Sequence, residues 1–426
     1  MYDYSKYPNR LIFCVDLKSF YASVSCVELG LDPLKVMLAV VGDINREGSI
    51  VLAATPLLKQ KFGISTQSRK FNLPVRKDVY VVNPSMSKYV QVSNQITELM
   101  LTKYVAPEDL FTYSIDELLM DFTFYSKLHK LEPLELARSI QKTIYDATGV
   151  SATIGIGSNM LLSKLALDNQ SKKDPTGIAW WSYEDVQTKV WNIKPLNKFW
   201  GIASKTQLKL NRLGITSIGE LARYPVEVLI KQFGQVIGTE LHLHANGIDF
   251  TRVSEMKNYK PSDKSIGKSQ VLLRDYQANE IEVLILEQLE EVCYRLRSQK
   301  KQCRTIHFGL GYSSGIGGFN KSVTLEEPTE LTKDWYKVCL KILKENYNNE
   351  PVRTISIGFK NFVKKENYEQ ISFFTDPIKK QKDLNLTETM DSIRRKYGRN
   401  SILRACSYLE HSTIRSNNKK IGGHLA

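Results

Sequence analysis

The sequence predicts a multidomain α+β protein, and three observations carry that expectation. At 426 residues the chain exceeds what one core ordinarily holds, and its 42% hydrophobic content is that of a globular protein. Short runs rich in β-branched and aromatic residues alternate with longer amphipathic stretches. A charged, proline-bearing stretch at 251–262 reads as an interdomain linker, after which a second series of strands and helices begins. The net charge of +14 and pI near 9.2 suit a polyanion such as nucleic acid, or an anionic membrane surface. No stretch is long and apolar enough to span a bilayer, and the N-terminus lacks a signal-peptide core, so a cytoplasmic protein is expected. The six cysteines (Cys14, Cys26, Cys293, Cys303, Cys339, Cys406) form no CxxC pair and read as reduced thiols.

Taken in order, residues 1–10 are polar and predict a mobile start. A strand over 11–16 delivers Asp16, and a helix follows from Ser19 to Leu29. Residues 36–41 and 50–54 read as strands; the loop between them, Gly42 to Ser49, lacks the Gly-Lys-Ser/Thr ending of a phosphate-cradling loop. A short helix runs from Pro56 to Phe62, closed by Gly63. An amphipathic helix at 88–101 precedes a hairpin at 108–123, in which Asp116 and Glu117 interrupt an apolar run. Acids enter such a run only with a partner or a metal. Adjacent strand residues face opposite ways, so an acid pair serves one site best at a strand end or hairpin tip. With Asp16 as third member, carboxylates at neighbouring strand ends can hold two divalent ions about 3.5–4 Å apart, the geometry of in-line phosphoryl transfer. The competing reading is a solvated hairpin tip; nearby Asp121 reads as structural. A helix at 132–148 and a strand at 152–157 complete two strand–helix–strand units, which suit a ferredoxin-like sheet.

Ser158 to Ala166 opens a helix bearing Lys164, and Ser171-Lys172-Lys173-Asp174-Pro175-Thr176-Gly177 forms a basic turn. Trp200-Gly201-Ile202-Ala203, followed by Leu208, Leu210, Leu213 and Gly214-Ile215, reads as a helix–hairpin–helix, whose turn can offer backbone N–H groups to a phosphate. His242-Leu243-His244 belongs to a helix. Beyond the linker, a strand at 264–269, a helix at 279–299, strands at 304–312 and 320–325, a helix at 329–346 and a strand at 352–362 are expected. The basic run Arg295 to Arg304 serves either a nucleic-acid backbone or its own helix C-terminus. Gln370-Ile371-Ser372-Phe373-Phe374 is either a docking peptide or a last strand. The tail beyond Asp376 is basic, with a helix near 387–397 and either further contacts or no fixed structure.

The run Asp16-Leu17-Lys18-Ser19-Phe20-Tyr21-Ala22-Ser23-Val24 resembles the first motif of the Y-family translesion DNA polymerases, most closely the UmuC-type branch. Ser114-Ile115-Asp116-Glu117 resembles their second carboxylate motif. The resemblance continues through residues 10–375. It implies a right-hand polymerase with a ferredoxin-like palm (1–27 and 87–178), small fingers (28–86), a helical helix–hairpin–helix thumb (179–250), the linker (251–262) and an α/β little finger (263–369). A clamp-binding peptide and basic tail would occupy 370–426. By the same resemblance Asp16 and the backbone carbonyl of Leu17 would bind metal, Asp116 would bridge two Mg²⁺ ions, and Glu117 would bind the ion that activates the primer 3′-hydroxyl. Tyr21, beside Phe20, would be the steric gate that collides with a 2′-hydroxyl. The family's triphosphate-gripping Tyr and Arg are replaced here by Leu57 and Gln60, which leaves Lys59, Lys61 or Arg69 to take over. Lys173, with Lys172 next to it, and Lys164 are further cations for the triphosphate. Gly201, Ala203, Lys205 and Lys268 would touch DNA, and Gln370, Ile371, Phe373 and Phe374 would dock on a bacterial sliding clamp.

The implied partners are primer–template DNA, dNTPs, the clamp, and a UmuD-type or recombinase protein. The implied activity is low-fidelity, template-directed synthesis in damage tolerance of the SOS type. Two other classes compete. A cyclase-like two-metal enzyme needs no duplex grip, which the helix–hairpin–helix supplies. A DNA- and clamp-binding regulator of the same family, with weak or partner-dependent catalysis, is favoured by Leu57 and Gln60 and opposed by the three acids.

Overall fold

Strand β1 (Ile12–Leu17) is the centre around which the first half of the chain is laid. The computed structural model describes residues 2–129, 132–259, 265–315, 317–364 and 376–426. They fall into two units, Met1–Tyr259 with His424–Ala426, and Lys260–Gly423.

In the first unit, α1 (Phe20–Glu28) leaves β1 through Ser19, which adopts a left-handed conformation at φ 50°. Strands β2 (Met37–Val41) and β3 (Val51–Ala54), helix α2 (Pro56–Phe62) and strand β4 (Val79–Val82) make a small subdomain. Its sheet has the order β3-β2-β4, and Leu58 of α2 fills its core. Helix α3 (Met86–Lys103) returns to the large sheet, followed by the hairpin β5 (Leu110–Ser114) and β6 (Glu117–Asp121). Helices α4 (Thr123–His129) and α5 (Pro133–Thr148) lead to β7 (Ala152–Gly157), α6 (Met160–Asn169) and β8 (Ile178–Trp181).

The large sheet has the order β5-β6-β1-β7-β8, with β1 antiparallel to both neighbours. Alternation along β1 sorts its side chains. Phe13, Val15 and Leu17 join the core made with Tyr89, Ile96 and Met100 of α3 and Ile140 and Ile144 of α5. Ile12 and Cys14 pack with Met160 and Leu167 of α6 on the opposite face. Asp16, two residues after Cys14, shares that face. The helix lies very close to the sheet: a Cβ at Gly155 or Gly157 would strike the backbone of Ser163 or Leu167. These glycines therefore set how deeply α6 reaches beneath the acids.

Helices α7 (Ser204–Arg212), α8 (Ile218–Arg223), α9 (Val226–Phe233) and α10 (Gln235–Ala245) form a separate helical layer. The N-terminus is anchored to this layer, contrary to the mobile start expected of a polar segment. Three tyrosines supply the reason: Tyr4 stacks on Tyr183 at 4.7 Å and donates to the Asn246 carbonyl, while Tyr2 and Tyr7 join the same cluster. Within the expected linker, α11 (Val253–Asn258) packs on the large sheet, with Val253 buried beside Ile12 and Leu119.

The second unit is a four-stranded antiparallel sheet, order β11-β10-β12-β9, from β9 (Ser265–Tyr276), β10 (Lys301–Tyr312), β11 (Gly318–Thr329) and β12 (Val352–Lys364). Helices α12 (Ala278–Ser298) and α13 (Thr332–Asn346) cover one face over a core that includes Leu289, Trp335, Phe308 and Phe359. The other face carries small and polar residues, among them Gly267, Ser269, Gly309, Ser356, Gly358 and Lys360, by alternation with that core.

The structure chooses between the two readings left open for the tail and for the basic run, and corrects the expectation for Lys268. The tail is ordered: α14 (Pro377–Tyr397), capped by Asp376, and the segment after it are clipped to α12. Arg394 and Arg404 reach Glu290 at 2.6 and 2.8 Å, and Thr413 reaches Glu287. The arginines of the basic run are engaged internally, with Arg297 in a buried pair with Asp391 at 2.7 Å, Arg295 on Glu291 and the Gly267 carbonyl, and Arg304 on the Glu326 carbonyl. Lys268 pairs in register with core residue Ile357, so it lies on the helix-covered face near Glu291 rather than on the open one. Burial holds its ammonium below the ordinary lysine range. The docking peptide 370–374 lies outside the described residues.

Candidate active site

Register brings the three acids to one place. Asp16 pairs directly with Glu117 across β1 and β6, and the Leu17 amide donates to the Asp116 carbonyl at 2.9 Å. Asp116 occupies the two-residue tip of the hairpin, where Ser114 Oγ donates to its carboxylate at 2.6 Å. This is the hairpin-tip placement that adjacent acids on a strand require.

The lower face of the cluster is a chain of alternating charges. Glu117 is only 7% exposed. Its carboxylate accepts from Lys164 Nζ at 2.8 Å and from the Cys14 thiol at 3.1 Å. Burial, then Glu117, push the Cys14 thiol well up, so it is the protonated donor in that contact. Lys164 also touches Asp168 at 3.1 Å; Asp168 takes Lys172 at 2.9 Å; and Lys172 reaches Asp16 at 2.9 Å. Lys164, Asp168 and Lys172 recur every four residues along α6 and the turn after it, so they share one helical face. Burial raises the Asp16 carboxyl above its usual range; Lys172 opposes this, while Asp116 and Glu117 add to it.

Above the acids lies a cavity of about 710 Å³ lined by Asp16, Tyr21, Lys59, Asp116 and Lys172, together with Lys18 and Gln60. Phe20 and Tyr21 both line the cavity; Phe20 is buried, and Tyr21 is stacked on Tyr89 at 4.4 Å and 11°. Tyr89 is fully buried, and its hydroxyl pairs with Ser25 Oγ at 2.8 Å. Lys59 contacts Ser19 Oγ at 2.9 Å, and burial lowers its pKa.

Of the expected triphosphate cations, the structure brings Lys59 and Lys172 to the cavity. It leaves Lys173 and Lys61 off the cavity wall, and Arg69 on the Gly48 carbonyl. Leu57 packs into the core of the small sheet, and Lys164 lies beneath Glu117 rather than over the cavity. Residues not anticipated from sequence are Lys18 on the wall and Asp168 between the two lysines. The four-residue spacing of Lys164, Asp168 and Lys172 was the available signal for the second.

A second groove, about 620 Å³, is lined by Tyr113, Asp168, Trp200, Gly201 and Ala203. Gly201 turns at φ 91°, and Ala203 precedes the first turn of α7 with no side-chain cap. Lys205 is exposed on that first turn.

Among the described residues no three acidic, histidine or cysteine side chains already converge as a metal cage. The donor set nevertheless fits hard divalent ions: Asp16, Asp116 and Glu117 offer only carboxylate oxygens. Their mutual repulsion, visible at Asp16, is what a bound cation would relieve.

The impB/mucB/samB family matches residues 15–168, and its C-terminal domain matches residues 263–373. The thumb domain of DNA polymerase-iota matches residues 199–249. UvrX of Bacillus subtilis (strain 168), named for UV-damage repair, is 45% identical, and the match covers 100% of both chains. DNA polymerase IV 2 of the same organism is 37% identical over 98% of this chain and 99% of its own. A solved Y-family DNA polymerase chimera of Dbh and Dpo4 shares the fold, with a TM-score of 0.63 over 83% of this chain, 99% of that chain and 20% identity.

Proposed function

The chain belongs to the Y family of DNA polymerases, and from that premise we propose that Asp16, Asp116 and Glu117 carry its nucleotidyl transfer. It is a DNA-directed DNA polymerase of the translesion type, acting on a DNA template and dNTPs. Family membership brings a general dependence on divalent metal. The observation that carries the site assignment is the register of Asp16 against Glu117, with Asp116 at the adjoining tip and a cavity beside them.

In this reading the cavity takes the incoming nucleotide. Lys59 and Lys172 meet its phosphates in place of the family's Tyr and Arg, and the Tyr21 ring lies under the sugar. Asp16, Asp116, Glu117 and the Leu17 carbonyl would hold two Mg²⁺ ions. Such ions lower the pKa of the primer 3′-hydroxyl and screen the leaving pyrophosphate. Ser114 fixes the Asp116 carboxylate and Cys14 orients that of Glu117. The groove lined by Tyr113 and Trp200 and the first turn of α7, with Gly201, Ala203 and Lys205, face the primer–template backbone. The open face of the second sheet, with small residues and Lys360, offers a further approach to duplex DNA. Lys268 is not part of that surface.

Gln370, Ile371, Phe373 and Phe374 remain our candidate docking peptide for a bacterial sliding clamp, on the chemistry of one Gln and apolar anchors. A UmuD-type or recombinase partner would modulate the same synthesis. The test of the central reading is primer extension by the purified chain with Mg²⁺ and four dNTPs. Asp116→Ala/Glu117→Ala should abolish extension; extension by that variant would remove these acids from the chemistry.

A further inference from the structure

The charge chain under the acids has a member that no step of the reaction uses. Asp168 touches both lysines that pair with the catalytic acids, at 3.1 Å to Lys164 and 2.9 Å to Lys172. Each lysine thus has two carboxylate partners already within reach, one in the site and one at Asp168. A divalent cation arriving at Glu117 and Asp16 competes with the ammonium groups held there at 2.8 and 2.9 Å. Lys164 is only 9% exposed in its side chain, so displacing it without another anion would leave a buried, uncompensated charge. Asp168 removes that penalty, because the ammonium need only shift its weight from one carboxylate to another.

We propose that Asp168 is a positioning residue for metal entry: Lys164 and Lys172 hold Glu117 and Asp16 in place before the ions arrive; when they do, Lys164 retires onto Asp168, and Lys172 leaves Asp16 for Asp168 and the triphosphate. The lysines act as resident counter-cations that stop three acids from repelling one another in the empty site. The four-residue spacing on one helical face keeps both within reach of Asp168, and Gly155 and Gly157 bring that helix close enough to matter. This inference rests on the assignment of Asp16, Asp116 and Glu117 as metal ligands.

The test is a Mn²⁺ titration without turnover, on enzyme bound to a dideoxy-terminated primer–template and a dNTP, followed by loss of the free-ion electron paramagnetic resonance signal. Asp168→Asn is nearly isosteric, and thermal melting reports whether it folds. It should weaken Mn²⁺ binding about tenfold, the scale seen when a group supporting a metal ligand is removed. In a Lys164→Gln/Lys172→Gln background, the same Asp168→Asn change should weaken binding less than about twofold, since both displaced ammonium groups are gone. No weakening by Asp168→Asn, or an equal weakening in both backgrounds, overturns the proposal. The control is Asp116→Ala/Glu117→Ala: Mn²⁺ binding like that of the unaltered chain would instead remove the metal-ligand assignment beneath it.

Discussion

At the scale of single residues, the cavity separates discrimination from grip. Tyr21 presents its ring to the cavity and cannot yield easily, because Tyr89 lies flat behind it at 4.4 Å and is itself fully buried. A wall discriminates by clash only if it is rigid. Tyr21→Ala should therefore raise ribonucleotide insertion relative to deoxynucleotide insertion by about two orders of magnitude, roughly 2.7 kcal/mol of lost discrimination. Paired kcat/KM measurements with dATP and ATP check it, and an unchanged ratio would remove the gate assignment. The grip belongs to Lys172 and Lys59. Lys172→Ala should raise the KM for dNTP about tenfold, as a charge-assisted phosphate contact is lost, whereas Lys173→Ala should change it less than about twofold. The reverse order would restore Lys173 as the phosphate contact.

At the scale of elements, what was legible from sequence depended on local signals. The strand ending at Asp16, the acid-bearing hairpin and the glycine-closed helix at Pro56–Phe62 all announce themselves by pattern. The choice between Lys172 and Lys173 did not, because a single inserted residue in a turn reverses which side chain faces the site. Lys268 misled for a related reason: a lysine in a strand says nothing about which face is covered until its partner, Ile357, is known. Sequence left the basic run between a nucleic-acid surface and its own helix end because the partners of Arg297, the Asp391 carboxylate and the Glu330 carbonyl, lie far away in sequence. Those long-range pairs make the tail part of the domain. Arg297→Ala should destabilise the second unit by about 3–5 kcal/mol, the cost of leaving Asp391 buried alone. A stability loss under ~1 kcal/mol in urea unfolding would show the latch to be superficial. Burial alone would raise the Glu290 carboxyl, but Arg404 and Arg394 outweigh it and hold it below the ordinary range. Its stabilisation is therefore complete above the unfolded value of about 4.3 and is lost as pH falls through the lower folded value. Acid unfolding should begin below about pH 4, and Glu290→Gln should flatten that limb.

At the scale of the whole molecule, a chain with net charge +14 should bind primer–template with affinity that falls steeply as salt rises, as phosphate contacts release counterions. Deleting residues 370–374 should abolish stimulation by the clamp and leave unstimulated synthesis intact; stimulation that survives would locate clamp docking elsewhere. Substitutions at the acids should behave in the opposite way, sparing DNA affinity while stopping chemistry. No helix among the described residues is long and apolar enough to cross a membrane.

The most direct measurement is single-turnover insertion of one nucleotide by rapid quench, with DNA affinity measured in parallel, for the unaltered chain and for Asp16→Ala, Asp116→Ala and Glu117→Ala. Each variant should bind primer–template with the same Kd and insert about a thousandfold more slowly, roughly 4 kcal/mol in the barrier. Insertion at the original rate in any of the three would contradict its place in the site. A loss that merely tracks DNA affinity would contradict the claim that these acids perform the transfer.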